Sequence, residues 1–305
     1  MNTGRAFLRL VRWSNLVFIV LTQALFYWCV YYQLFGKHDT KRFVLLVIAS
    51  VLIAAAGYVI NDYFDLNIDQ VNKPDKIIID RIIPRRWAIV WHWVLSFAGV
   101  ALTAIAVGKT YWLLVVANFV CVILLWLYST SFKRQLLIGN IVISLLTAWT
   151  ILVLFFAFSH PDQAFNTTDP RSVKFFRISI LYAGFAFIIS LIREAVKDME
   201  DMKGDMRYGC KTLPIVVGIR TTKMYVAIWI VVLVATLLIL QFYVLQFGWI
   251  FSVIYAIAFV IVPLLLALSR LRKAARTSDF ADLSSRTKWI MLTGILSMLF
   301  FLFYI

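Results

Sequence analysis

Nine apolar runs, separated by shorter polar connections, dominate the chain. They span approximately 14–35, 42–61, 87–107, 111–131, 136–158, 174–193, 222–245, 248–269 and 287–305. A bilayer core takes about 20 residues of helix. The pattern therefore predicts an all-α polytopic membrane protein with nine transmembrane helices in one bundle, a single domain over 1–305. Trp13, Trp87, Tyr111, Trp112, Trp249 and Trp289 sit at run edges, where amphipathic rings meet headgroups.

Composition agrees. The chain is 63% hydrophobic and 15% charged, against about 45–50% and about 25% for a soluble domain. A soluble core cannot hide that much apolar surface. The net charge of +15 does not point to nucleic acid, because the basic residues lie in short connections, where orientation signals and contacts with anionic lipid are found. The N-terminal arm and the connections after even-numbered runs hold 23 of the 30 Lys and Arg residues. That bias predicts a multi-pass integral protein, in the cell inner membrane if bacterial, with a cytoplasmic N-terminus and a non-cytoplasmic C-terminus.

Against this background the acidic residues stand out. Asn61 and Asp62 follow the second run, and Asp62, Asp65 and Asp69 are spaced i, i+3, i+7. A helix places all three on one face. The spacing recurs after the sixth run at Asp198, Asp201 and Asp205. The charge bias puts both stretches on the cytoplasmic side, each opening a connection of roughly 25 residues that is expected to form an ordered cap. Two matched acidic faces suit divalent cations, because clustered carboxylates repel unless a cation joins them. Oxygen-only ligands suit Mg²⁺, and Asn61 adds a neutral oxygen. The three cysteines and three histidines are scattered and form no zinc or disulfide pattern. Cations are interleaved in both connections: Lys73, Lys76, Arg81, Arg85 and Arg86 in the first, Arg193, Lys197, Lys203, Arg207 and Lys211 in the second. Acid and base together suit a Mg²⁺-bound diphosphate. A membrane transporter is the remote alternative, since intramembrane carboxylates often mark transport. It fits less well, because the third, fourth, fifth, seventh, eighth and ninth runs carry no acid.

These residues resemble the UbiA superfamily of intramembrane prenyltransferases. Asn-Asp-x-x-Asp-x-x-x-Asp at 61–69 and Asp-x-x-x-Asp at 201–205 look like its paired motifs, after the second and sixth helices. Arg81-Ile82-Ile83-Pro84, Tyr128-Ser129 with Lys133, and Arg12 with Asn15 are similar to smaller elements of the family, although Arg85-Arg86 stands where Ser-Gly is usual. The resemblance implies transfer of a prenyl group from a prenyl diphosphate to a lipophilic acceptor. Asn61, Asp62, Asp65 and Asp69 would hold one Mg²⁺; Asp201 and Asp205, with Asp198, a second. Lys73, Arg81, Lys133 and Lys211 would take the diphosphate, and Tyr63, Phe64 and Tyr128 are candidates to face an allylic cation. Arg12, Asn15, Asn140, Arg193 and Lys197 complete the implied substrate-binding set, with Asp65, Asp201, Asp205 and Tyr128 as the catalytic group.

Three stretches resemble the digeranylgeranylglyceryl phosphate synthase branch: Arg193-Glu194 with Lys197 to Asp205, Lys133 with Gly139-Asn140, and Lys211-Thr212-Leu213-Pro214-Ile215. They imply a geranylgeranyl donor and geranylgeranylglyceryl phosphate as acceptor, in ether-lipid synthesis. Arg85, Arg86, Arg193, Lys197 and Arg207 suit an acceptor with its own phosphate. The alternative acceptor is an aromatic quinone precursor of the menaquinone, ubiquinone or homogentisate type.

Overall fold

A short amphipathic helix and nine long ones account for nearly all of the computed structural model, which describes residues 3–72, 74, 77–159 and 168–304. Lys73, expected at the diphosphate, lies outside the described residues. Helix α1 (Thr3–Leu10) ends where Arg12 adopts a left-handed conformation, φ 51° and ψ 53°. The long helices are α2 (Trp13–Phe35), α3 (Thr40–Asn72), α4 (Arg85–Val107), α5 (Trp112–Thr130), α6 (Ile138–Phe158), α7 (Pro170–Arg207), α8 (Leu213–Leu245), α9 (Ile250–Lys273) and α10 (Thr277–Tyr304). Among the described residues these nine are long and apolar enough to cross a membrane.

Their lengths change the reading of the acidic stretches. Helix α3 has 33 residues and α7 has 38, about 50 Å and about 57 Å at 1.5 Å per residue. A hydrocarbon core is only about 30 Å thick, so both helices run on past it. The acidic residues therefore lie on helical extensions, not in connections of 25 residues. Only residues 208–212 separate α7 from α8. Helix continuity has a plain cause: neither 61–72 nor 198–207 contains proline, and the one glycine, Gly204, is buried against α3.

The segment after α3 folds back onto the bundle. Ile78, Ile79 and Ile83 are buried with Ala6, Leu10 and Val11 of the N-terminal segment and Ala88 of α4. A tight turn closes this segment, with the Asp80 N–H donating to Ile83 O at 2.9 Å. After α7, Thr212, Leu213 and Pro214 are buried. Val216 and Val217 are exposed, on a turn of α8 that is kinked off by Gly218 at φ 83°.

Helix α3 packs along α4, and α6 along α7, which in turn meets α8 and α10. A large aromatic cluster around Phe26, Tyr27, Phe155 and Phe175 closes the end of the bundle opposite the acidic extensions. A second apolar cluster joins α7, α8, α9 and α10. Between these clusters the helices leave a central cavity.

Candidate active site

The cavity encloses about 1230 Å³. All six motif aspartates line it, together with Asn61, Arg12, Asn15, Arg81, Tyr128, Lys133, Arg193 and Lys197. Its inner wall is largely apolar, with Ile53, Leu125, Trp149, Phe185 and Met298. A polar mouth thus opens into an apolar chamber.

The two acidic helices are clamped directly to each other. Asn72 Nδ2 donates to Asp201 O at 2.9 Å, and the Gly204 N–H donates to Asn72 Oδ1 at 2.8 Å. A Cβ on Gly204 would fall 2.5 Å from Asn72 Nδ2, so only glycine admits this contact.

Each acidic face carries polar partners. Lys133 Nζ donates to Asp65 Oδ1 in an ion pair, and Asn61 Nδ2 donates to Asp65 Oδ2 at 2.7 Å. Arg12 Nη2 donates to Asp62 Oδ1 at 2.7 Å. Burial works against the Arg12 charge, but Asp62 beside it outweighs burial, with Tyr58 and Asp65 adding, so the guanidinium pKa is raised. On the second face Asn140 Nδ2 donates to Asp198 Oδ2 at 2.9 Å. Lys133 is delivered by the turn between α5 and α6, which rests on α6 at Gly139. A Cβ there would lie 2.9 Å from Lys133 Cα, a second position where glycine permits close approach.

Several expected residues stand apart. Lys211 is exposed and absent from the cavity lining; its backbone N–H donates to Arg134 O at 2.7 Å and ties two turns together. Arg85, Arg86 and Arg207 are exposed and do not line the cavity. Arg85 and Arg86 are the first two residues of α4 and Arg207 is the last of α7, so all three sit at helix ends. Tyr63 and Phe64 point away as well: Tyr63 takes the Arg85 guanidinium over its ring at 5.6 Å, and Phe64 packs edge-on to Trp126. Tyr128 keeps its place on the wall, where Tyr58 joins it.

The structure also adds residues that spacing did not reveal. Asn72 is one. Glu194 is another, buried on the cavity wall with Arg193 at 3.1 Å and Lys197 at 3.3 Å. The third is Lys288 of α10, whose Nζ donates to Asn15 Oδ1 at 2.7 Å. The signal for Lys288 was available: it is a cation at the start of the last apolar run. Cys210 lines the cavity too, but burial, with Asp205 adding, pushes its thiol up, which disfavours the thiolate a nucleophile needs.

Among the described residues no three His, Cys, Asp or Glu side chains converge closely enough to hold a metal by themselves. The donor set nonetheless fits Mg²⁺, which keeps waters and bridges to phosphates instead of filling an all-protein cage. All its members present oxygen, and Asn61 Oδ1 is buried with no hydrogen-bond partner among the described residues.

Comparison with known proteins follows the same lines. The digeranylgeranylglyceryl phosphate synthase of Natronomonas pharaonis is 32% identical over 255 residues, 84% of this chain and 82% of that protein. That of Methanothermobacter thermautotrophicus is 35% identical over 240 residues, 77% of this chain and 75% of that protein. A solved digeranylgeranylglyceryl phosphate synthase superposes with a TM-score of 0.62 at 22% identity, covering 98% of this chain and 99% of that one. A UbiA homologue from Archaeoglobus fulgidus, solved with GPP and Mg²⁺, gives a TM-score of 0.60 at 16% identity, covering 96% and 99%. The model of the UbiA prenyltransferase family matches residues 22–303, and with the nine apolar helices this shows an integral, multi-pass membrane protein that belongs to the UbiA prenyltransferase family.

Proposed function

We propose that this enzyme transfers a geranylgeranyl group from its diphosphate to the free hydroxyl of geranylgeranylglyceryl phosphate, in ether-lipid synthesis. The observation that carries the reading is the junction of two acidic helices at the polar mouth of an apolar chamber. The relatives' shared description as digeranylgeranylglyceryl phosphate synthases supports the choice of acceptor.

The roles follow from placement. Asn61, Asp62, Asp65 and Asp69 would hold one Mg²⁺, and Asp198, Asp201 and Asp205 a second. A metal held by these residues would supply positive charge to offset the negative charge developing on the departing diphosphate. Lys133 and Arg12 compensate Asp65 and Asp62 in this state and are the cations next to the diphosphate, with Arg81 at the rim. The prenyl tail lies along the apolar wall. Tyr128 faces the chamber beside these groups, where its ring can stabilise an allylic cation. The bond from prenyl C1 to the diphosphate oxygen breaks, the acceptor oxygen forms a new bond to C1, the hydroxyl proton passes to solvent at the polar mouth, and diphosphate is released.

The whole of 1–305 acts as one transmembrane domain in this reading. Its N-terminus and acidic mouth face the cytoplasm, and its C-terminus faces the other side.

The test is turnover in detergent with labelled geranylgeranyl diphosphate and Mg²⁺, offering geranylgeranylglyceryl phosphate and a dihydroxynaphthoate separately. Product from the glycerol phosphate alone is expected. Product from the aromatic alone would replace ether-lipid synthesis with quinone-precursor prenylation.

A further inference from the structure

The cavity has a second charged wall, apart from the carboxylates. Helix α10 packs against both α7 and α2, which places Lys288 between Arg193 of α7 and Asn15 of α2. Lys288 Nζ donates to Asn15 Oδ1 at 2.7 Å, with Ser14 Oγ at 3.5 Å, and Arg193 lies within electrostatic reach. All four residues line the cavity.

This wall is short of negative charge. Glu194 is its carboxylate, shared between Arg193 and Lys197, and Lys288 makes no ion pair among the described residues. Arg12 does not alter the balance, because Asp62 compensates it. Arg193, Lys197 and Lys288 thus face Glu194 and, within electrostatic reach of Lys197, Asp198, which Asn140 already engages, so the wall keeps one positive charge in excess. Arg193 Nε is also buried without a hydrogen-bond acceptor. Uncompensated charge and an unmet charged donor are costly in a low-dielectric cavity. An anion with several acceptor oxygens removes both costs at once.

We infer that Lys288, Arg193 and Asn15 form a phosphomonoester site that holds the acceptor's phosphate, separate from the diphosphate site at the aspartates. The inference rests on the proposed phosphorylated acceptor and adds where its headgroup binds. The site selects phosphorylated acceptors over neutral ones and leaves the diphosphate to Lys133 and the acidic helices. Lys288 is thus a specificity-determining residue.

The experiment has two arms. In the first, dodecyl phosphate is titrated into the wild type, Lys288→Met and Lys288→Arg in detergent free of phospholipid, by tryptophan fluorescence. The Met variant is expected to bind about tenfold more weakly or worse, the size of one lost charged hydrogen bond, with Arg recovering most of the loss. Equal binding by all three would overturn the site. Equal competition from phosphatidylglycerol, a phosphodiester, would make it an anchor for bilayer lipid and overturn the acceptor assignment. In the second arm, Lys288→Met should raise KM for geranylgeranylglyceryl phosphate about tenfold or more while KM for the prenyl diphosphate stays unchanged. A rise in the diphosphate KM instead would overturn the separation of the two sites. Failure of the wild type to use any phosphorylated acceptor would sink the proposed function, while dodecyl phosphate binding still decides the site.

Discussion

Asn72 and Gly204 lock the two acidic helices together: the Gly204 N–H donates to Asn72 Oδ1 at 2.8 Å, and there is no room between them for a Cβ. The amide completes the clamp through its bond to Asp201 O. One side chain at the end of α3 therefore sets the spacing of the two aspartate faces across the cavity mouth. Gly204→Ala should push the faces apart and lower kcat about tenfold or more, since small misplacements of reacting groups are expensive. Asn72→Leu should act similarly. Circular dichroism and thermal melting in detergent would check that both variants stay folded. Near-normal kcat in folded Gly204→Ala protein would show that the clamp does not position the site.

Asp65 and Asp205 stand on different helices but line one chamber. Asp65→Ala and Asp205→Ala should each remove most turnover while leaving folded protein in the membrane. If either variant works near the wild-type rate, catalysis does not need both faces. Lys133→Met should also lose activity, and the double variant Asp65→Ala with Lys133→Met should lose much less than the sum of the two, because the residues form one ion pair.

Metal dependence gives a separate check. Chelation with EDTA should abolish turnover and added Mg²⁺ should restore it. Asn61→Leu removes a neutral oxygen and the bond that steadies Asp65. It should raise the Mg²⁺ concentration giving half-maximal activity by about tenfold. An unchanged Mg²⁺ response would remove Asn61 from the ligand set.

Arg12 and Asp62 join the N-terminal segment to α3. Arg12→Met leaves the Asp62 carboxylate without its cation. Breaking a fully buried pair costs about 3–5 kcal/mol. The Arg12 side chain remains 35% exposed, so solvent screening reduces the expected loss to about 1–2 kcal/mol. A lower melting temperature in detergent, partly recovered by Arg12→Met with Asp62→Asn, would bear this out. No change in melting would mean that the pair has no part in stability.

The proposed orientation puts the two ends of the chain on opposite sides of the membrane. A reporter fused after residue 305 should read the non-cytoplasmic side, and one fused ahead of residue 1 the cytoplasmic side. Two signals from the same side would contradict the orientation drawn from the basic residues.

The sequence by itself determined the class of protein and the identity of the acidic residues. A bilayer demands about 20 apolar residues per crossing, so the nine runs show in hydropathy alone. Helical periodicity is equally local, and the i, i+3, i+7 spacing of Asp62, Asp65 and Asp69 already implied one face. Only the tertiary structure decided how far α3 and α7 extend beyond the membrane, because apolar runs end where lipid ends, while a helix ends where its backbone is capped or broken. Tertiary packing likewise decided which cations meet the site. Arg193, Lys197 and Lys133 turn inward, while Arg85, Arg86, Arg207 and Lys211 do not line the cavity. Asn72 with Gly204 and Lys288 with Asn15 are separated by more than a hundred residues. Such contacts depend on how whole helices pack, and no local spacing encodes them.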